Sequence, residues 1–389
     1  MTETRTVTGD WLTAPGTQAV MGMLTGAGHR ALAVGGCVRN ALLGAPVADI
    51  DIATDARPER LIELAEAAGL RSVPTGIEHG TVTVIAHGAP HEVTTFRRDV
   101  ETDGRRAVVA FADGVEEDAA RRDFTMNALY AEADGTLVDP LGGLPDLLAR
   151  RLRFVGKPMD RVREDYLRIL RFFRFHAWYA DPEGGVDADA LDACARGAEG
   201  IGGLSAERIG AEMRKLLAAP DPAPAVAAMA ASGVLMRVLP GADPAILAPL
   251  VHLEEGSAPS WLRRAAALGG EGARQGWRLS NAEARDLDLR RSALADGASL
   301  DETAWRHGAD VATDVALIRA AATPEPLDAA VSSRILKAAG ARFPLSAADL
   351  MPTLSGPSLG AALKRAEADW IASGFALDRE ALMARALAG

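Results

Sequence analysis

Residues 32–53 limit what this chain can become more than any other stretch: Leu-Ala-Val-Gly-Gly-Cys-Val-Arg-Asn-Ala-Leu-Leu-Gly-Ala-Pro-Val-Ala-Asp-Ile-Asp-Ile-Ala. A short apolar run ends in Gly35-Gly36, a helix-like segment begins near Arg39, and an apolar strand then carries Asp49 and Asp51 two residues apart. Side chains on a strand alternate faces, so the spacing predicts both carboxylates on one face and Ile50 and Ile52 on the other. Two adjacent carboxylates repel unless a cation sits between them, and hard oxygen donors of this kind suit Mg²⁺. A glycine pair at a strand-to-helix turn lets backbone N–H groups approach a phosphate where the helix dipole also favours negative charge. Alone, Gly-Gly reads equally as a tight turn, and a lone Asp-x-Asp as a solvated strand end. Together they point to phosphoryl or nucleotidyl transfer. A dinucleotide-binding reading fails, because no Gly-x-Gly-x-x-Gly follows the first strand.

The spacing Gly-Gly-x-x-Arg, then about ten residues, then Asp-x-Asp resembles the active-site signature of the polymerase β nucleotidyltransferase superfamily. Within it, the chain resembles the class II branch, which holds CCA-adding tRNA nucleotidyltransferases and bacterial poly(A) polymerases. A second block, Arg121-Arg122-Asp123-Phe124-Thr125-Met126-Asn127-Ala128, matches that branch almost residue for residue. In isolation it is a helix start capped by Asp123. A third block, Glu164-Asp165-Tyr-Leu-Arg168-Ile-Leu-Arg171-Phe-Phe-Arg174, matches the branch's Glu-Asp-x-x-Arg motif. Read as one helix, it places Asp165, Arg168 and Arg171 along one slowly winding row, beside an apolar strip of Leu167, Leu170 and Phe173. A salt-bridged amphipathic helix would satisfy the same pattern.

The resemblance implies a division of labour. Asp49 and Asp51 are the catalytic metal ligands, holding Mg²⁺ ions that in a two-metal scheme sit roughly 3.5–4 Å apart. Glu92 is either a third ligand or an ordinary strand-face glutamate. Gly36 and Arg39 contact the incoming triphosphate, although a surface salt bridge also accounts for Arg39. Arg122 touches the nucleotide, and Asp123 and Asn127 shape the sugar site. Asp165 and Arg168 select the base, with Arg171 and Arg174 as further nucleotide contacts. Cytosine and adenine both show an amino donor beside a ring-nitrogen acceptor, which a carboxylate and a guanidinium complement; uracil and guanine show the reverse. The implied activity is addition of C, C and A to a tRNA 3′ end from CTP and ATP, without a template. The rivals are a poly(A) polymerase, a partial CC- or A-adding enzyme, and a catalytically silent RNA-binding protein. Pro74-Thr-Gly-Ile-Glu-His-Gly-Thr-Val-Thr83 lacks the basic phrase usual in the polymerase.

At 389 residues the chain can bury two or three cores. The expected architecture is an α+β, polymerase β-like nucleotidyltransferase head over residues 1–148, a helical neck over 149–219, and an all-α, tRNA-binding body and tail over 220–389. Strands are predicted over 31–34, 50–53, 81–85, 92–95 and 136–138, with a helix over 60–68. Charged, aperiodic residues 97–106 read as a mobile loop, and Pro220-Asp-Pro-Ala-Pro as a boundary between helical parts. Asp139-Pro-Leu-Gly-Gly reads as a structural turn, and Ser205 as the N-cap of a scaffolding helix. Trp261, Trp277, Trp305 and Trp370 are expected in cores.

The formal charge of −11, from 53 acidic and 42 basic residues, argues against a generally basic nucleic-acid binder. Residues 145–178 nevertheless carry nine basic residues against four acidic ones, a strip that suits tRNA phosphates. Cys37 and Cys194 form neither a disulfide framework nor a zinc motif, which fits a reducing compartment. With no signal-like N-terminus and no apolar run of spanning length, the expected location is cytoplasmic, away from membranes. Nothing in the chain implies an obligatory protein partner.

Overall fold

The computed structural model describes residues 5–102, 107–254, 256–323, 328, 330–351 and 353–388. The chain divides into two compact units, Met1–Pro240 and Gly241–Gly389.

The first unit is built on a seven-stranded sheet. In chain order its strands are β1 (Leu32–Val34), β2 (Asp51–Thr54), β3 (Arg71–Gly76), β4 (Thr81–Ala86), β5 (Ala89–Thr95), β8 (Tyr130–Ala131) and β9 (Leu137–Val138). A separate hairpin pairs β6 (Arg97–Thr102) with β7 (Ala107–Phe111). The sheet order is β3-β4-β5-β2-β1-β8-β9, and β2 and β5 are its parallel pair. β4 shows why: Val82, Val84 and Ala86 are buried, while Thr81, Thr83 and Ile85 between them are half-buried. That alternation gives the sheet one apolar face. Helices α1 (Pro15–Gly26) and α3 (Pro58–Ala67) cover it with Val20, Met21, Leu24, Leu61 and Ala65. Each carries Pro at its first turn, where the missing N–H costs nothing. Burying a Leu or Ile here stabilises the head by roughly 1.5–3 kcal/mol. The approach is close. A Cβ on Gly16 would stand 2.8 Å from the Ala86 carbonyl oxygen, so even Ala at this position pushes α1 off β4.

Ile50 and Ile52 pack into this same apolar layer, whereas Ala53 belongs to the opposite one with Leu32, Val34, Phe96, Val115 and Tyr130. That second face is only partly covered, and its uncovered part holds the candidate site.

Several boundaries differ from expectation. The first helix after β1, α2 (Gly36–Leu42), begins three residues before Arg39, because Gly35 adopts φ 72°, a left-handed value that turns the chain at once. β3 was not anticipated: it carries Pro74, which is tolerated because β3 is the outer strand of the sheet. The mobile loop expected over 97–106 is corrected for 97–102, which form β6. The partner that makes it a strand, apolar β7, lies beyond the charged window. Residues 103–106 lie outside those described. Asp139 does serve a turn, its carboxylate accepting the Gly143 and Leu144 N–H groups at 2.8 and 3.0 Å.

After Val138 every named element is a helix among the described residues. The expected continuous helix through Asp165 is instead two, α5 (Pro158–Glu164) and α6 (Leu167–Tyr179). Asp165 between them is extended, at φ −154° and ψ 108°. Its Oδ1 accepts the Leu167 N–H at 3.0 Å and its carbonyl the Arg168 N–H at 2.9 Å, the competition with helix geometry that makes Asp a good helix starter. Leu167, Leu170 and Phe173 are buried as the strip predicts, and Phe172 and Phe175 join Phe124 and Phe154 in an aromatic core. α7 (Ala206–Leu217) starts at Ser205, whose Oγ accepts the Arg208 N–H. The Pro220 turn leads into α8 (Ala223–Ala231), which packs on α6, so residues 219/220 lie inside the first compact unit.

The second unit contains α9 (Leu247–Leu253), α10 (Trp261–Leu268), α11 (Asn281–Ala295), α12 (Leu300–His307), α13 (Ala309–Ala321), α14 (Gly356–Ala372) and α15 (Arg379–Ala388). Trp277 and Trp370 are buried, and Trp305 packs edge-on against Trp370. Trp261 is half-buried. No helix among the described residues is long and apolar enough to cross a membrane.

Candidate active site

The site lies on the partly covered face of the first unit's sheet, around a cavity of about 340 Å³. One wall is acidic. Asp51 opens β2 and stands in register with Glu92 on the parallel strand β5, and both line the cavity. Asp49 precedes β2 and is exposed. Burial, then neighbouring Glu92 and finally Asp49 raise the Asp51 carboxyl above its ordinary value, with Arg122 opposing them. Among the described residues no Arg or Lys comes within ion-pair distance of Asp49, Asp51 or Glu92. Such crowded carboxylates fit a hard divalent cation. No three His, Cys, Asp or Glu side chains among the described residues form a closed metal cage.

The facing wall is guanidinium-rich: Arg97, Arg121, Arg122, Arg168 and Arg171 all line the cavity. Arg121 and Arg122 follow α4 (Val115–Ala120), which presents Asp118 to both. Asp118 Oδ1 accepts Arg121 Nε at 3.0 Å and Oδ2 accepts Arg122 Nη2 at 2.9 Å and the Tyr130 hydroxyl at 2.8 Å. Burial alone would push the Asp118 carboxyl up, but Arg122, Arg121 and the Tyr130 hydroxyl hold it far below the usual carboxylate range. Gly35 meets this wall, since a Cβ there would stand 3.5 Å from Arg122 Nη1.

The turn between α5 and α6, with α6 itself, supplies the third side. Asp165 faces the cavity with Oδ1 on the Leu167 N–H and Oδ2 on Arg208 Nη2 at 2.6 Å. Arg168 donates to Glu164, to the Arg161 carbonyl and, at 3.0 Å, to the Arg121 carbonyl. Arg171 grips Asp123 Oδ2 through Nε and Nη2 at 2.8 and 2.5 Å. Asp123 also accepts from the Phe124 N–H and from Asn127. Burial raises the Asp123 carboxyl, but Arg171, Asn127 and that N–H outweigh it and bring it down to about 2.

Arg39 and Arg174 are not among the residues that line the cavity. Arg39 is buried, donating to Asn127 Oδ1 at 2.6 Å and the Tyr179 hydroxyl at 2.8 Å, with its guanidinium 4.0 Å from the Tyr179 ring centroid. The surface salt bridge considered for Arg39 is therefore not its setting. Arg174 pairs with buried Glu212 of α7, Nε to Oε2 2.7 Å, in a geometry too bent for a hydrogen bond. Gly36 opens α2.

The structure thus brings Asp51, Arg122, Asp165, Arg168 and Arg171 to one cavity, whereas Asp49, Gly36, Arg39 and Arg174 are not among the residues that line it. Sequence reasoning assigned no role to Asp118 or Tyr179, and gave the helix that carries Arg208 and Glu212 a scaffolding role only. A signal existed for Asp118, which follows Val115 by three residues and precedes Arg121 and Arg122 by three and four. Arg208 carried none.

Residues 31–153 match the family described as the Poly A polymerase head domain, and residues 186–246 match a probable RNA and SrmB-binding site of polymerase A. Fold and site together define a polymerase β-like nucleotidyltransferase. A CCA-adding enzyme of Geobacillus thermodenitrificans is 35% identical over 332 residues, covering 77% of this chain and 76% of its own. The crystal structure of the Bacillus stearothermophilus CCA-adding enzyme in complex with CTP is 30% identical, covers 96% of both chains and has a TM-score of 0.72. Human mitochondrial CCA tRNA nucleotidyltransferase 1 is 44% identical over 190 residues, 49% of this chain. The matched part spans 44% of that relative's length. The chain belongs to the family of CCA-adding tRNA nucleotidyltransferases.

Proposed function

We propose that this protein adds C, C and A to the 3′ end of tRNA from CTP and ATP, releasing pyrophosphate, with Mg²⁺ as its metal and the cytoplasm as its location. The observation that carries this reading is an acidic wall, without a basic partner among the described residues, facing arginines across a cavity of about 340 Å³. Asp49 and Asp51 would hold the metal, with Glu92 beside them. Bound there, divalent ions activate the attacking 3′-hydroxyl and neutralise the departing pyrophosphate. The chain's own contribution is position and charge. Arg122, with Gly36 and Arg39 at the turn after β1, receives the phosphates. Asp165 and Arg168 read the base edge. Arg171 and Arg174 align the nucleotide through Asp123 and Glu212. Head, neck, and body with tail divide as 1–148, 149–219 and 220–389, the last two supplying the tRNA surface.

The test is incubation of the protein with Mg²⁺, each labelled nucleotide, and tRNA lacking one, two or three terminal nucleotides. Ordered incorporation of C, C and A is expected. Long adenosine tails on unrelated RNA would establish a poly(A) polymerase instead, addition of C alone or A alone a partial enzyme, and no incorporation a silent RNA-binding protein.

A further inference from the structure

Arg122 is held along one edge only. Its Nε donates to the Tyr130 hydroxyl at 3.0 Å and to Asp118 Oδ2 at 3.2 Å, and its Nη2 to the same Oδ2 at 2.9 Å. Its Nη1 makes no hydrogen bond among the described residues, and stands 3.5 Å from where a Cβ would sit on Gly35. A guanidinium is a rigid planar fork, so fixing one edge fixes the direction in which the other donates. Here that free edge meets the Gly35-Gly36 turn and the cavity shared with Asp51.

The anchor is Asp118, only 1% exposed. Besides Arg122 it holds Arg121, the Tyr130 hydroxyl, and the backbone N–H of Arg97, where β6 begins, at 3.3 Å. A carboxylate needed only to neutralise one arginine would not require a hydroxyl and a strand's first amide as well. Four donors over two oxygens leave it one orientation.

We propose that Asp118 is a positioning residue that aims Arg122 at the phosphate chain of the incoming nucleotide. It touches no substrate itself. The inference rests on the nucleotidyltransferase reading above.

The test is equilibrium binding of CTP and of cytidine monophosphate, with Mg²⁺, to the wild-type protein, Asp118→Asn and Tyr130→Phe. Loss of aim weakens CTP binding about tenfold in Asp118→Asn and about threefold in Tyr130→Phe, the order expected for charge-assisted and single hydrogen bonds. Cytidine monophosphate, lacking the outer phosphates, changes less than twofold. A merely structural role predicts equal losses for both ligands, and equal losses or none would overturn the proposal. Tyr130→Phe keeps every charge, so it decides the matter if Asp118→Asn does not fold. Failure of the wild-type protein to bind CTP overturns the nucleotidyltransferase reading, a result distinct from an unchanged ratio in the variants.

Discussion

The two compact units each bury arginines against carboxylates, and they do so to opposite ends. In the second unit Arg263 bridges Glu254 at 2.5 Å and Asp314 at 2.9 Å, Arg264 doubles on Glu254, and Arg290 closes on Asp314 at 2.6 Å. All five side chains are buried, and each acid has two arginines. In the first unit Asp118 likewise holds two arginines and Asp123 one, yet Asp51 and Glu92 face the same cavity without a basic partner among the described residues. A sealed network stabilises helix packing. Uncompensated charge beside open space is held at a cost to stability, and that marks a place for a ligand.

The largest expected effect tests the open side. Asp51→Asn should lower nucleotidyl transfer roughly a thousandfold, about 4 kcal/mol of transition-state stabilisation. The same change should leave the melting temperature equal or higher, because it removes a carboxyl whose ionisation the fold disfavours. A clear drop in melting temperature would contradict the contrast.

The sealed side should respond in the reverse sense. Asp314→Ala leaves Arg290 without its carboxylate and Arg263 with Glu254 alone, which should cost about 3 kcal/mol in urea unfolding. A cost under about 1 kcal/mol would mean that the network is no tighter than surface ion pairs.

The smallest effect is a matter of pH. Asp123 has its carboxyl at about 2 in the fold against an ordinary 3.8, so unfolded chains take up the proton first on acidification. Its contribution, about 2 kcal/mol, is present above pH ~4 and lost as the pH falls toward ~2. Asp51 has the opposite sign, since its carboxyl is raised in the fold. Denaturant unfolding of Asp123→Asn at neutral and acid pH should show a correspondingly shallower acid loss than the wild-type protein, and identical slopes would remove Asp123 from the account.

Much of the site is legible in the sequence because its patterns are local. Alternation places Asp51 toward the cavity and Ile52 in the apolar layer with Ile50, but Asp49, expected beside Asp51 on the strand, precedes β2 and is exposed. Gly35 needs only its own left-handed φ to start α2. The Asp165 block is legible in composition and misleading in shape: a row drawn on one helix breaks where Asp165 prefers to cap. The pairing of β6 with β7 was obscured because the charged strand is recognisable only beside β7.

By itself, then, the sequence determined the glycine turn, the arginine-rich helix and an α+β head joined to helices, since each follows from spacing within a few residues. The tertiary structure alone decided the arginine partners that lie far apart in the chain. Arg171 reaches Asp123 across 48 residues of sequence, Arg208 reaches Asp165 across 43, and Arg39 reaches Asn127 across 88. Strand and helix periodicities repeat every two or 3.6 residues and carry no information over such separations. Those partners are chosen by which helices pack against the open face of the sheet, and so is the identity of the carboxylates left without a basic partner among the described residues.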